Sequence, residues 1–136
     1  MITERRTPGQ LLRDLYESLS QGDSEPLANA LADDVTWRII GSTPLSGTYR
    51  GKAEVLSGLF GGLRDRLATP TKLDIERVLE DGDYAVLFAT GDATAVTGRR
   101  YNNSYAILAH VVDGRLVEMT DYVDTDLMLR SLWDDH

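Results

Sequence analysis

Of the residue types that most often carry chemistry, this chain has no cysteine and two histidines. The missing thiol excludes a cysteine nucleophile, a thiolate zinc centre and a disulfide scaffold. His110 and His136 are too few for a histidine-based metal cluster, and no metal is expected. His136 is the last residue; His110 lies in a strand pattern, as a surface or interface histidine or a catalytic one. Gly47–Lys52 resembles a phosphate-binding loop. However, its glycines are one residue too close, and Ala53 stands where a metal-binding hydroxyl is needed. No serine sits in a Gly-x-Ser-x-Gly elbow. Asn102-Asn103-Ser104 spells a glycosylation sequon that means nothing without a secretion signal. Asp134 and Asp135 read as a solvated tail.

Charge narrows the partners. Fourteen basic residues against 22 acidic ones leave a net charge of -8. Such a chain repels phosphate backbones, so nucleic acid is not expected. No apolar run approaches the ~18 residues of a membrane span, so no membrane contact is expected either. Met1–Gln10 is polar and lacks the apolar core of a signal peptide, which makes the cytoplasm the expected location. The 136 residues fit one domain, 1–136, able to bury its own core.

The elements follow from periodicity. Thr7-Pro8 starts a helix carrying Leu11, Leu12, Leu15, Tyr16 and Leu19, and Gly22 stops it. Ser24 caps a second helix that ends at Asp33-Asp34. Val35–Ile40 is a strand, and Gly41–Gly51 is a loop. Val55, Leu56, Leu59, Phe60 and Leu63 mark a third helix. Gly58, Gly61 and Gly62 weaken it, so they either permit close packing or leave it mobile. Leu73–Glu80 and Tyr84–Val96 flank Asp81-Gly82, and Tyr105–Val112 and Leu116–Val123 flank Asp113-Gly114; both are hairpin signals. Asp124 caps a last helix with Leu127, Met128 and Leu132. The order ααβα, four strands in meander and a short helix is an α+β domain. Its helices should lie on one face of a curved, mostly antiparallel sheet.

This order resembles the nuclear transport factor 2-like superfamily, and local words agree. Ser20-Gln21-Gly22-Asp23 followed by Leu31–Trp37 resembles the family's paired-helix entrance to the first strand. Gly98–Tyr105 resembles the entrance to a central strand. Asp113–Glu118 and Asp121–Thr125 resemble the final hairpin and closing segment. The likeness is nearest to the SnoaL-like, ketosteroid-isomerase-like branch. It implies a cone-shaped sheet with three N-terminal helices packed on its concave face, around one apolar pocket.

Matching the family strand by strand implies which side chains face that pocket, since they alternate with period two. These are Val35, Trp37 and Ile39; Tyr84, Val86, Phe88, Thr90 and Asp92; Tyr101, Asn103, Tyr105 and Ile107; and Val117, Met119, Asp121 and Val123. Asp121 among Trp37, Tyr105 and Met119 would be partly desolvated, which raises a carboxyl pKa toward neutrality and suits a general acid or base. Otherwise it caps a turn or pairs with Arg38 or Arg99. Asp92 is the second carboxylate candidate. Trp37, Phe60 and Phe88 would form the apolar wall with Met119, unless Trp37 is plain core, and Asn103 and Tyr105 would orient a ligand carbonyl or only satisfy the backbone. Tyr16 and Phe60 read as core packing ahead of ligand contact.

The resemblance also implies what is missing. A ketosteroid isomerase needs an aspartate base and an oxyanion hole of a tyrosine and a protonated acid. Those positions fall here on Arg38 or Ile39, on Leu15, and near Ala106 or Ile107. Tyr16 is one residue off and faces elsewhere. An epoxide hydrolase-like reading would take Asp92 and Asp121 but finds Thr90 where its arginine belongs. A polyketide cyclase needs only one proton-moving aspartate, which Asp121 supplies, and no cofactor. The remaining reading is a non-catalytic module that binds a small apolar molecule or dimerises. The residues opposite the pocket (Leu87, Ala89, Ala106, Leu108, Leu116 and Tyr122) are too apolar for a wet face, so a homodimer through the sheet is expected.

Overall fold

The computed structural model describes residues 6–133. Met1–Arg5 and the tail residues Asp134, Asp135 and His136 lie outside the described residues. Helix α1 (Pro8–Ser20) starts at Thr7, whose hydroxyl accepts from the Gln10 amide while the Gln10 side chain accepts from the Thr7 amide. This capping box satisfies two of the donors a helix start leaves orphaned. Leu11, Leu12, Leu15 and Tyr16 are its buried stripe. Gly22, at φ 88°, turns the chain into α2 (Glu25–Ala30). Ser24 stands at the cap position of α2, but its hydroxyl makes no capping bond. Asp23 instead accepts from the Glu25 amide at 3.1 Å.

Strand β1 (Leu31–Ile39) begins four residues earlier than expected, and the Gly41–Gly51 loop contains a short edge strand, β2 (Gly47–Arg50). The third helical region is α3 (Lys52–Glu54), a π-helical turn Val55–Phe60, and α4 (Gly61–Arg66). Its glycines serve close packing. A Cβ on Gly58 would stand 3.1 Å from the Tyr49 ring, and one on Gly62 would stand 2.7 Å from Leu45. Strands β3 (Lys72–Asp81), β4 (Tyr84–Asp92), β5 (Ser104–Val112) and β6 (Arg115–Val123) follow, then α5 (Thr125–Leu132), capped by Asp124 on the Leu127 amide. Asp113 and Gly114, both at positive φ, make the tight turn between β5 and β6 that the sequence predicts.

The six strands form one curved, unclosed sheet in the order β2-β1-β6-β5-β4-β3. The β1–β6 pair is parallel and the others are antiparallel. Register fixes which side chains share a face. Trp37 lies beside Met119, Ile39 beside Asp121, Asp121 beside Ile107, and Ile107 beside Leu87. The expected facing of β1 and β5 is therefore observed, and on β6 that of Met119, Asp121 and Val123.

Strand β4 is inverted. Ala85, Leu87, Ala89 and Gly91 share the face of Asp121 and are buried, whereas Tyr84, Val86, Phe88, Thr90 and Asp92 point the other way. Helix α1 packs against β3 and β4, and small residues on β4 make room for it. Of the six residues expected on the outer face, Leu87 and Ala89 are therefore buried on the inner one; Leu116 is buried too, carried there by the register shift between His110 and Val111, which leaves Ala106, Leu108 and Tyr122 outside. No described helix is long and apolar enough to cross a membrane.

Candidate functional site

A pocket of about 430 Å3 opens between helix α1, the π-helical turn with α4, and the sheet. Its walls are chiefly apolar, with Tyr16, Trp37, Phe60, Tyr105 and Asp121 among them. A side chamber of about 60 Å3 adjoins it and runs back to Tyr101 and Met128. Tyr105 and Asp121 line both spaces, so they stand at their junction.

Three elements hold Asp121 in place. Strand β6 presents it between Ile39 of β1 and Ile107 of β5. Trp37, two residues along β1 on the same face, donates its indole N–H to Asp121 Oδ1 at 3.0 Å. Phe60, from the π-helical turn, sets its ring against Trp37 at 5.4 Å between centroids and 82° between planes. Such an edge-to-face pair contributes about 0.5–1.5 kcal/mol beyond its burial and holds the indole still.

Oδ2 of Asp121 has no protein partner among the described residues, nor has the Tyr16 hydroxyl. Since no buried side-chain oxygen there lacks one, both open onto the pocket. Asp121 thus meets the outside through the pocket while protein crowds it elsewhere.

Burial pushes the Asp121 carboxyl up from 3.8 to about 7, and the Trp37 hydrogen bond opposes that rise. The phenols around it move the same way. Burial, then the Asp121 charge and then Tyr105 hold Tyr16 well above the ordinary phenol range. Tyr105 is raised by burial, by its contact with Tyr101 and by Asp121. Tyr101 rises to about 12, chiefly by burial, against the hydrogen bonds from Asn103 and Tyr105. At neutral pH all three stay protonated beside a half-ionised acid.

The structure brings together Asp121, Trp37, Phe60 and Tyr105 from the residues expected in the site, and not the other four. Asp92 is on the outer face with its side chain 67% exposed, 3.9 Å from Arg100. Phe88 is on that face too. Met119 is buried in the core beside Trp37 and does not line the pocket. Asn103 is fully buried, and its amide is fully used. Nδ2 donates to the Tyr101 hydroxyl and the Asp124 carbonyl, while Oδ1 accepts from the Ser104 and Asp124 amides. It ties the start of β5 to the end of β6 and has nothing left for a ligand.

Asp121 pairs with neither arginine. Arg38 is exposed on the opposite face of β1, and Arg99 is spent on the carbonyls of Arg130 and Trp133. Nor does Asp121 cap a turn, since Asp124 is the helix cap.

The model of the SnoaL-like domain matches residues 12–119. The chain belongs to the SnoaL-like domain family. Its fold is that of the nuclear transport factor 2-like superfamily. An NTF2-like protein of unknown function from Burkholderia pseudomallei superposes with a TM-score of 0.83 at 27% identity, over 96% of this chain and all of that one. A proposed isomerase from Rhodopseudomonas palustris gives 0.69 at 25% identity, over 93% of this chain and 96% of the other. The uncharacterised protein Rv0034 of Mycobacterium tuberculosis is 25% identical over 123 residues, covering 90% of this chain and 93% of its own.

In this SnoaL-like protein the sequence reading missed Tyr16 as a pocket residue. It faces the pocket, not elsewhere. The signal was present: Leu12, Tyr16 and Leu19 follow the i, i+4, i+7 spacing of one helical stripe. The small residues that admit Tyr105 were also missed. A Cβ on Gly91 would stand 2.9 Å from the Tyr105 ring, a cross-strand fit that appears only once β4 is placed.

Proposed function

We propose that this SnoaL-like protein is a cofactor-independent enzyme of isomerase or cyclase type. It moves a proton on a largely apolar substrate that bears an enolisable carbonyl. The observation that supports it best is the Asp121 carboxyl, with one oxygen fixed by Trp37 and the other open to an apolar pocket. Its raised pKa suits a general base and acid at neutral pH. The description of the Rhodopseudomonas palustris neighbour as a proposed isomerase is consistent with this reading.

Asp121 Oδ2 takes the proton from the carbon next to the carbonyl. The Tyr16 hydroxyl, kept neutral by burial, donates to the oxygen on which negative charge develops, while Tyr105, whose proton is held by Tyr101, walls the substrate beside Asp121. The enolate is then reprotonated by Asp121 at another carbon, or its carbon attacks a second carbonyl of the same molecule. In the latter case Asp121 returns the proton to the alkoxide that forms.

A two-carboxylate epoxide hydrolysis is not supported, because Asp92 is on the opposite face of the sheet. The test is exchange of carbon-bound protons in apolar ketones dissolved in D2O, followed by NMR. The wild type should catalyse exchange, and Asp121→Asn should lower the rate by ~10²-fold or more. Equal rates in the two proteins would overturn the assignment of Asp121. Binding of ketones without catalysed exchange would leave a binding protein.

A further inference from the structure

Beside Asp121, the pocket has one other charged side chain on its wall. Arg64 of α4 lines it and is exposed at its mouth. Its guanidinium has no ion pair and no hydrogen bond among the described residues. Neighbouring arginines are occupied: Arg66 lies 5.0 Å over the Trp133 ring, and Arg99 holds two backbone carbonyls. Asp65 follows Arg64 in the chain but does not line the pocket. Two exposed hydroxyls share the wall with Arg64. That of Ser24 does not cap its own helix. That of Thr69 accepts from the Thr94 amide, so its proton is still available. The wall therefore offers an exposed cation and two exposed hydroxyl donors, while most of its other residues are apolar.

We propose that the ligand is an amphipathic acid, with an apolar body in the pocket and one carboxylate against Arg64. This rests on the proton-transfer reading only for which end of the ligand meets Asp121. The net charge of -8 does not forbid an anion. Exposed charges act over a screening length of about 8 Å at physiological salt, so the nearest group decides. At the mouth that group is a guanidinium, whose planar fork matches a carboxylate with two parallel hydrogen bonds.

The experiment compares 4-phenylbutyrate with 4-phenylbutyramide by calorimetry at pH 6, on wild type, Arg64→Gln, Arg64→Lys and Asp121→Asn. The acid should bind the wild type about tenfold more tightly than the amide, the scale of one charge-assisted hydrogen bond. Arg64→Gln should erase that preference without changing amide affinity, and Arg64→Lys should keep part of it. Asp121→Asn should keep it whole. The proposal is overturned if acid and amide bind wild type equally, if the preference survives Arg64→Gln, or if the acid fails to bind at millimolar concentration. Acid preference without Asp121-dependent proton exchange would leave this site standing and remove the enzymatic reading; the converse would do the opposite.

Discussion

Trp37 and Asp121 meet on a diagonal. Register puts Ile39, not Trp37, directly beside Asp121, and the indole N–H reaches along the sheet face to Oδ1 at 3.0 Å. Diagonal neighbours on one sheet face lie within reach of a long aromatic side chain. The bond leaves the second carboxylate oxygen open and favours the ionised form, against burial that favours the neutral one.

Trp37→Phe keeps an aromatic wall and removes the donor. The Asp121 pKa should then rise further, because the bond that lowers it is gone. The pH profile of proton exchange would show its rising, low-pH limb moving to higher pH. A limb that moves to lower pH would refute the role given to Trp37.

The same group links stability to pH. Its folded pKa of about 7 lies above the unfolded 3.8. Below the unfolded value both states are protonated and nothing is lost. Between the two values only the unfolded state ionises, so stability falls as pH rises, and it levels off above the folded value. At about 1.4 kcal/mol per pKa unit the loss is about 4 kcal/mol. Asp121→Asn, which cannot ionise, should therefore be more stable than wild type in urea at pH 8 by a few kcal/mol. The difference should vanish toward pH 4. A difference independent of pH would contradict this.

Asn103→Ala should unfold more readily without losing ligand selectivity. It strands the Ser104 and Asp124 amides and the Asp124 carbonyl, a cost of roughly 3 kcal/mol or more. Urea melts beside ketone binding would separate the two effects. Full stability with lost binding would restore the ligand-orienting role first expected of this residue.

Gly91→Ala should displace Tyr105. The added methyl meets the ring at 2.9 Å, an overpacking cost of about 1–3 kcal/mol. Thermal melts should show that loss, and proton exchange should slow with it. Exchange at the wild-type rate would argue against Tyr105 as a wall that positions the substrate against Asp121.

Much of this fold was legible in the chain. Asp113-Gly114 fixes its hairpin because both residues take positive φ, and Thr7-Pro8 fixes the start of α1. The four-residue β2 was not legible, since Thr48 and Tyr49 are its only strand formers amid glycines, hydroxyls and a proline. The face of β4 was not legible either. Residues Ala85–Ala89 are apolar on both sides, so period two carries no phase there. The phase is set by packing, with Ala85, Ala89 and Gly91 giving room inward under α1 and Phe88 turned outward, and packing is a tertiary property. That one slip misplaced Asp92 and Phe88. Asp121 was found because matching the family's closing hairpin set the phase of β6 at Met119, Asp121 and Val123, which the register keeps.

The most direct measurement is the ionisation of Asp121 itself, followed by carboxyl 13C NMR on aspartate-labelled protein with Asp121→Asn to assign the signal. A midpoint near 7, well above the 3.8 of a solvated aspartate, is the result expected. A midpoint near 4 would contradict the account, because it would show a carboxyl that is solvated rather than desolvated against the apolar pocket.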